Sequence, residues 1–130
     1  MAYIKYKELT KYFNFNKEIE IKDLPKYVLD YTTNKEKIYK AYKTLRDKAV
    51  FTDKRMILFD VNLASTNKKV HIIPYKSIST AAISFRTNKA YILISFDSGY
   101  QIRLNFIKLD ANSKTELRKL YTMIMEQTIE

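Results

Sequence analysis

Cysteine is absent from the 130-residue chain, so there is no disulfide to staple it and no thiolate for a metal or a nucleophilic mechanism. That composition fits a reducing compartment, and a cytoplasmic location is the expectation. Histidine occurs once, at His71, which leaves a zinc site without its usual ligands and supports neither a Ser-His-Asp nor a Cys-His arrangement. The one glycine, Gly99, excludes a glycine-rich phosphate loop. Long apolar runs are missing too. The first residues, MAYIKYKELTKYF, interleave Lys with apolar side chains, so neither a membrane-spanning helix nor an export signal is expected. The 14 carboxylates are scattered along the chain. No catalytic, metal-binding or cofactor-binding residue is therefore assigned, no cofactor is implied, and the expectation is a protein that is not an enzyme.

What is present is apolar and aromatic material: 46% hydrophobic residues, with 11 Tyr and 7 Phe. This is enough for one folded domain built on a single core. The formal net charge is +10, from 24 Lys and Arg against 14 Asp and Glu, a bias towards acidic partners such as nucleic acid, anionic lipid or an acidic protein face. Residues 1–50 and 51–130 each hold 12 basic and 7 acidic side chains, so the charge forms no tail or block. The abundance of Lys, Ile, Asn and Tyr suggests an AT-rich coding source, a low-GC bacterium or its phages and mobile elements.

The hydrophobic period changes along the chain. Ile4, Leu9, Tyr12 and Phe13 share one face of a predicted short helix. Asp23-Leu24-Pro25 reads as the start of a second, with Asp23 as cap and Leu24, Val28 and Leu29 facing inward. From about residue 37 to 108 the signal is β. Tyr100 to Phe106 alternates apolar and polar without a break, and Asp97-Ser98-Gly99 before it predicts a hairpin with Ala90 to Phe96. Further strands are predicted at Ile38 to Leu45, Lys48 to Thr52, Arg55 to Val61, Val70 to Ile73 and Ile78 to Phe85, about seven in all. Ser113 and Glu116 fit a capping box, after which Leu117, Leu120, Tyr121, Ile124 and Thr128 recur at helical spacing. The expectation is a mainly β barrel or sandwich over residues 36–130, covered by an amphipathic C-terminal helix and preceded by a helical extension over 1–35.

The run LRDKAVFTDKRMILFD and the later HIIPYKSIST resemble the bacterial pleckstrin-homology family. Arg46, Asp47, Val50, Phe51, Thr52, Lys54, Arg55, Ile57 and Leu58 match its first segment, and Ile73, Pro74, Tyr75, Ser77 and Ile78 its second. The resemblance implies a partly open, orthogonally packed seven-strand barrel capped by the final helix. It also implies frequent homo-oligomerisation, and it supplies no activity, since function on such a scaffold lives in grafted surfaces.

Two groups of side chains are candidates for contact. Arg46, Lys48, Lys54, Arg55, Lys68 and Lys69 fall at strand junctions, where they would hold phosphate groups if the loops met at one barrel end. Lys43, Arg46 and Lys48 only weakly match the inositol-phosphate pattern of eukaryotic relatives. For the charged turn Thr52-Asp53-Lys54-Arg55, solvated charges at a strand connection are the favoured reading over a site. Tyr3, Tyr6, Tyr12, Phe13 and Phe15, interleaved with Lys5, Lys7, Lys11 and Lys17, would form a protein interface, pack within the chain, or stack on nucleic acid. The leading functional expectation is a protein-interaction module that self-associates. A basic module that binds nucleic acid or inhibits a nucleic-acid-handling complex is the alternative, and binding to anionic lipid is a third.

Overall fold

The clearest alternation in the sequence forms the middle of the structure, a computed structural model that describes residues 10–45, 47–61 and 68–129. Strands β8 (Ala90–Phe96) and β9 (Gln101–Phe106) alternate buried with half-buried residues, as a sheet with one wet face requires. They are joined at Gly99, whose φ of 89° lies where a side chain is strained. Its N–H donates to the Phe96 carbonyl at 2.8 Å. On one side β8 pairs with β7 (Ile78–Phe85), and on the other β9 pairs with β1 (Thr10–Phe15), giving the order β1-β9-β8-β7.

The second sheet has the order β2-β3-β4-β5-β6. Its strands are β2 (Lys17–Glu18), β3 (Ile38–Lys43), β4 (Asp47–Thr52), β5 (Arg55–Val61) and β6 (Lys68–Pro74). Phe51, Met56, Leu58, Ile92, Ile102 and Leu104 meet between the two sheets. Helix α2 (Ala111–Glu126) closes the space with Leu117, Leu120 and Ile124, all buried. Burial of each such side chain contributes about 1.5–3 kcal/mol.

The helix expected around Tyr12 and Phe13 is instead β1. It runs parallel to β9, with Phe13 opposite Leu104 and Phe15 opposite Phe106. The polar residue between the two phenylalanines, Asn14, is exposed, so the segment obeys a period of two. Ile4 and Leu9 lie outside the described residues. From β1 the chain bends into β2 and bridges the sheets: the Ile107 N–H donates to the Phe15 carbonyl at 2.9 Å, and the Asn16 N–H to the Lys43 carbonyl at 2.9 Å. One corner of the barrel is thereby sealed. The opposite corner, between β6 and β7, has no ladder among the described residues.

A second apolar cluster lies on the outer face of the five-stranded sheet, where Leu24 and Val28 cover Ala41, Val50, Ile57 and Phe59. Strands β4 and β5 are thus buried on both faces and read as continuous apolar runs. Helix α1 (Lys26–Leu29) starts after Pro25 as its N-cap. Asp23, the expected cap, ends a 3-10 turn, and Leu29, expected inside, is exposed. The start of α2 also differs from the capping box. Asp110 is the N-cap and accepts the Ser113 N–H at 2.7 Å. Glu116 reaches across to Lys40 at 3.3 Å, and Lys40 also meets Glu18 at 3.0 Å. Burial alone would push the Lys40 ammonium down, but hydrogen bonds to Glu18 and Glu116 outweigh it and hold the group above its ordinary value.

Candidate functional site

The charged turn between β4 and β5 is tied inward. The Thr52 hydroxyl accepts the N–H groups of Lys54 and Arg55 at 3.1 and 3.0 Å. Asp53 accepts the Lys37 N–H through Oδ1 at 3.0 Å, and the Tyr75 hydroxyl donates to the Thr52 carbonyl at 2.7 Å in the buried interior. Arg55 points its Nε at both carboxylate oxygens of Glu36, each at 3.0 Å, and donates through a terminal nitrogen to the Tyr31 carbonyl at 2.6 Å. The solvated role expected for Arg55 is therefore replaced by a structural one. A forked guanidinium suits that place because it serves a carboxylate and a carbonyl together.

The remaining candidate cations do not converge. Lys48 donates to the Tyr27 hydroxyl at 2.7 Å. Lys54 is exposed beyond the far end of β4. Lys68 and Lys69, expected in a loop, belong to β6, where Lys69 lies opposite Asp60, and Asp60 opposite Asp47. Lys48 and Lys69 thus share one end of the sheet, and Lys54 and Arg55 the other. Arg46 lies outside the described residues, as do Tyr3 and Tyr6. Phe13 and Phe15, candidates for an interface, are buried in the barrel core, whereas Tyr12 is 57% exposed.

A different set of residues meets on the outer face of the four-stranded sheet. Register places Asn14 beside Asn105, Asn105 beside Tyr91, and Tyr12 beside Arg103. A cleft of about 400 Å³ opens there, lined by Asn14, Arg86, Lys89, Tyr91, Arg103 and Asn105 among others, with no carboxylate in its wall among the described residues. The Arg103 guanidinium lies over the Tyr91 ring at 4.0 Å, a cation–π contact. Its Nε donates to Asn105 Oδ1 at 2.9 Å, and Asn105 Nδ2 donates to Asn14 Oδ1 at 3.2 Å. Among the described residues, none of Arg86, Lys89 and Arg103 has a carboxylate within 4.0 Å. The alternation of residues 100–106 marks Arg103 and Asn105 as wet positions, but only the pairing with β1 brings Asn14 and Tyr12 to them.

At the open corner, a groove of about 470 Å³ runs past His71, Ile72, Pro74 and Phe96. His71 makes an edge contact with Phe13 at 5.8 Å, and its Nε2 is buried without a hydrogen-bond partner among the described residues. Burial, then the Lys11 charge, lower its proton affinity against the opposing pull of Asp60, so the imidazole is neutral near pH 7. Strand β7, Ile78 to Phe85, ends its sheet and carries no charged residue and no proline along its eight positions. Among the described residues, no group of three His, Cys, Asp or Glu is placed to hold a metal ion, and no helix is long and apolar enough to cross a membrane.

Comparison with known proteins agrees with this architecture. The uncharacterized protein YjqA of Bacillus subtilis is 40% identical over 81 residues, which span 61% of this chain and 60% of that protein. A crystal structure of a protein with a pleckstrin-homology domain from Shewanella loihica superposes with a TM-score of 0.69 at 20% identity, over 88% of this chain and 99% of that one. A PH-domain-containing protein from Exiguobacterium sibiricum gives 0.67 at 19% identity, over 91% of this chain and 63% of that one. At such identities the two structures establish the fold alone. The sequence profile of the bacterial PH domain matches residues 8–128, almost the whole of both sheets and the closing helix, and the chain belongs to the bacterial PH domain family.

Proposed function

We propose that this PH-like domain is a non-enzymatic, cytoplasmic protein-interaction module that adds an extended segment of another chain to the free edge of β7. A terminal strand presents unpaired N–H and C=O groups, and folded proteins usually guard such edges with charge, proline or a covering element. The other edges are guarded. Strand β6 carries Lys69 and Pro74. The outer side of β1 is held by Asp47, which accepts the Asn14 N–H at 2.9 Å, and by the Lys11–Asp60 ion pair at 2.9 Å. Strand β2 is two residues long. Among the described residues strand β7 has no such device, and Ser79, Thr80 and Ala82 on it are exposed. This unguarded edge is the observation that carries the reading, because backbone pairing supplies affinity wherever an extended segment is added to a sheet.

A second copy of the chain is the simplest partner, since two β7 edges related by a two-fold axis pair antiparallel and form a closed, self-complementary contact. Light scattering after size-exclusion at micromolar concentration tests this. The wild type is expected to be multimeric, and Ala82→Lys, a charge on an exposed edge position, is expected to shift it to monomer with its fold intact by circular dichroism. A wild-type monomer that also captures no protein from its host would overturn the proposal.

A further inference from the structure

We infer that the cleft on the outer face of the four-stranded sheet is a binding site for single-stranded nucleic acid. The inference is independent of the β7 edge, because it rests on side chains of β1, β8, β9 and the β7–β8 turn.

Three features of the cleft favour this ligand. The first is charge: Arg86, Lys89 and Arg103 line one opening, and among the described residues no carboxylate lies within 4.0 Å of them, so a polyanion meets cations that no described carboxylate pairs. Phosphates neutralised by such groups release counterions, and that release drives association. The second is planar surface. Tyr12 is 57% exposed on the strand beside Arg103. The Arg103 guanidinium carbon itself lies over the Tyr91 ring, 4.0 Å from its centroid. Unpaired bases stack on Tyr rings and on guanidinium planes alike.

The third is hydrogen-bonding capacity. Asn14 and Asn105 lie side by side, Arg103 uses its Nε on Asn105, and its terminal nitrogens have no acceptor among the described residues. Amide and guanidinium groups on a flat face match the edges of unpaired bases. An acidic protein surface would satisfy the cations but leave the aromatic and amide rows without a counterpart. In a duplex the base faces are closed to stacking, which is why the single-stranded form is the occupant.

Fluorescence anisotropy with labelled oligothymidylate and oligouridylate of about 12 nucleotides tests the site. Salt set at about 50 mM and then about 200 mM gives the electrostatic slope. The double variant Arg86→Glu with Lys89→Glu is expected to weaken binding at least about tenfold and to reduce the salt slope by about two. The control Lys35→Glu with Lys54→Glu makes the same charge change at exposed positions outside the cleft and is expected to lose less than about threefold. Tyr12→Ala removes a stacking ring and is expected to weaken binding about fivefold or more. Cross-linking the wild type to a bromouridine-substituted oligonucleotide, mapped by mass spectrometry, needs no variant and is expected to label peptides of β1, β8 or β9. Equal losses from the cleft and control variants would overturn the inference. So would cross-links confined to other strands, no binding at low salt, or competition by polyglutamate as effective as by unlabelled oligonucleotide. The last result would assign the cleft to an acidic protein.

Discussion

Replacing Arg55 with alanine removes the cation that faces Glu36 and the donor to the Tyr31 carbonyl in one step. The Glu36 side chain is 5% exposed and that of Arg55 21%, so the variant strands a nearly buried carboxylate. Breaking a fully buried pair in this way costs about 3–5 kcal/mol. Two facts reduce the cost here: Arg55 keeps contact with solvent, and the Thr33 hydroxyl still donates to Glu36 at 3.2 Å. A loss of about 2–3 kcal/mol is expected, or roughly 10 °C in Tm for a domain of this size. Arg55→Lys keeps the charge but not the fork, and should lose about 1 kcal/mol. Adding Glu36→Gln to Arg55→Ala should recover part of the loss, since no charge is then left unpaired. Urea unfolding at pH 7, with the slope m compared across variants, measures each. If Arg55→Ala lies within about 0.5 kcal/mol of wild type, as exposed substitutions do, the ion pair is not structural. The charged turn would then return to being a candidate contact.

Asp110→Ala should destabilise more than Ser113→Ala, through loss of the cap on α2. Ser113→Ala should change stability by less than about 0.5 kcal/mol; the reverse order in a thermal melt would restore Ser113 as the cap. His71 makes stability depend on pH in a defined direction. Its unfolded-state value is 6.5 and its folded value is lower, so below pH 6.5 the unfolded chain binds more protons and stability falls with acidification until the folded value is passed. Asp110 and Glu116, lowered from 3.8 and 4.5 by the Ser113 amide and by Lys40 respectively, lose their contributions only at more acid pH. Urea curves at pH 7 and about pH 5.5 should show a drop in wild type that His71→Phe lacks; equal slopes would remove His71 from that role.

Strands β5, β7 and β8 can be read from the chain to the residue because their signals are local: apolar runs or alternation bounded by a charged turn, a proline or the Asp97-Ser98-Gly99 hairpin. Strand β1 cannot. Its partner β9 lies some 91 residues away, as the Asn14–Asn105 bond shows, and a parallel pair has no connecting turn to announce it. Over so short a segment Leu9, Tyr12 and Phe13 satisfy a helical period as well. Arg55 illustrates the same limit at a site. At a turn a cation looks solvated, and the carboxylate that claims it is 19 residues back. The basic cleft is less legible still. Asn14, Asn105 and Tyr91 are ordinary residues of separate strands, and register alone makes them neighbours.

The β7 edge and the basic cleft belong to one sheet, and its order decides whether they compete. A strand added to β7 lies beyond Ala82 and Ser84, on the side of β7 away from β8. The Tyr12–Arg103 row sits on β1 and β9 at the opposite side of β8. A strand captured at β7 would extend the sheet on the side away from the Tyr12–Arg103 row, so that row would stay open. If the captured strand comes from a second copy, the continuous sheet carries two basic faces joined at their β7 edges. One polyanion engaging both would gain avidity from effective concentration with no new contact. The edge would then set how many clefts a strand of nucleic acid meets, and the cleft would set how tightly each one holds.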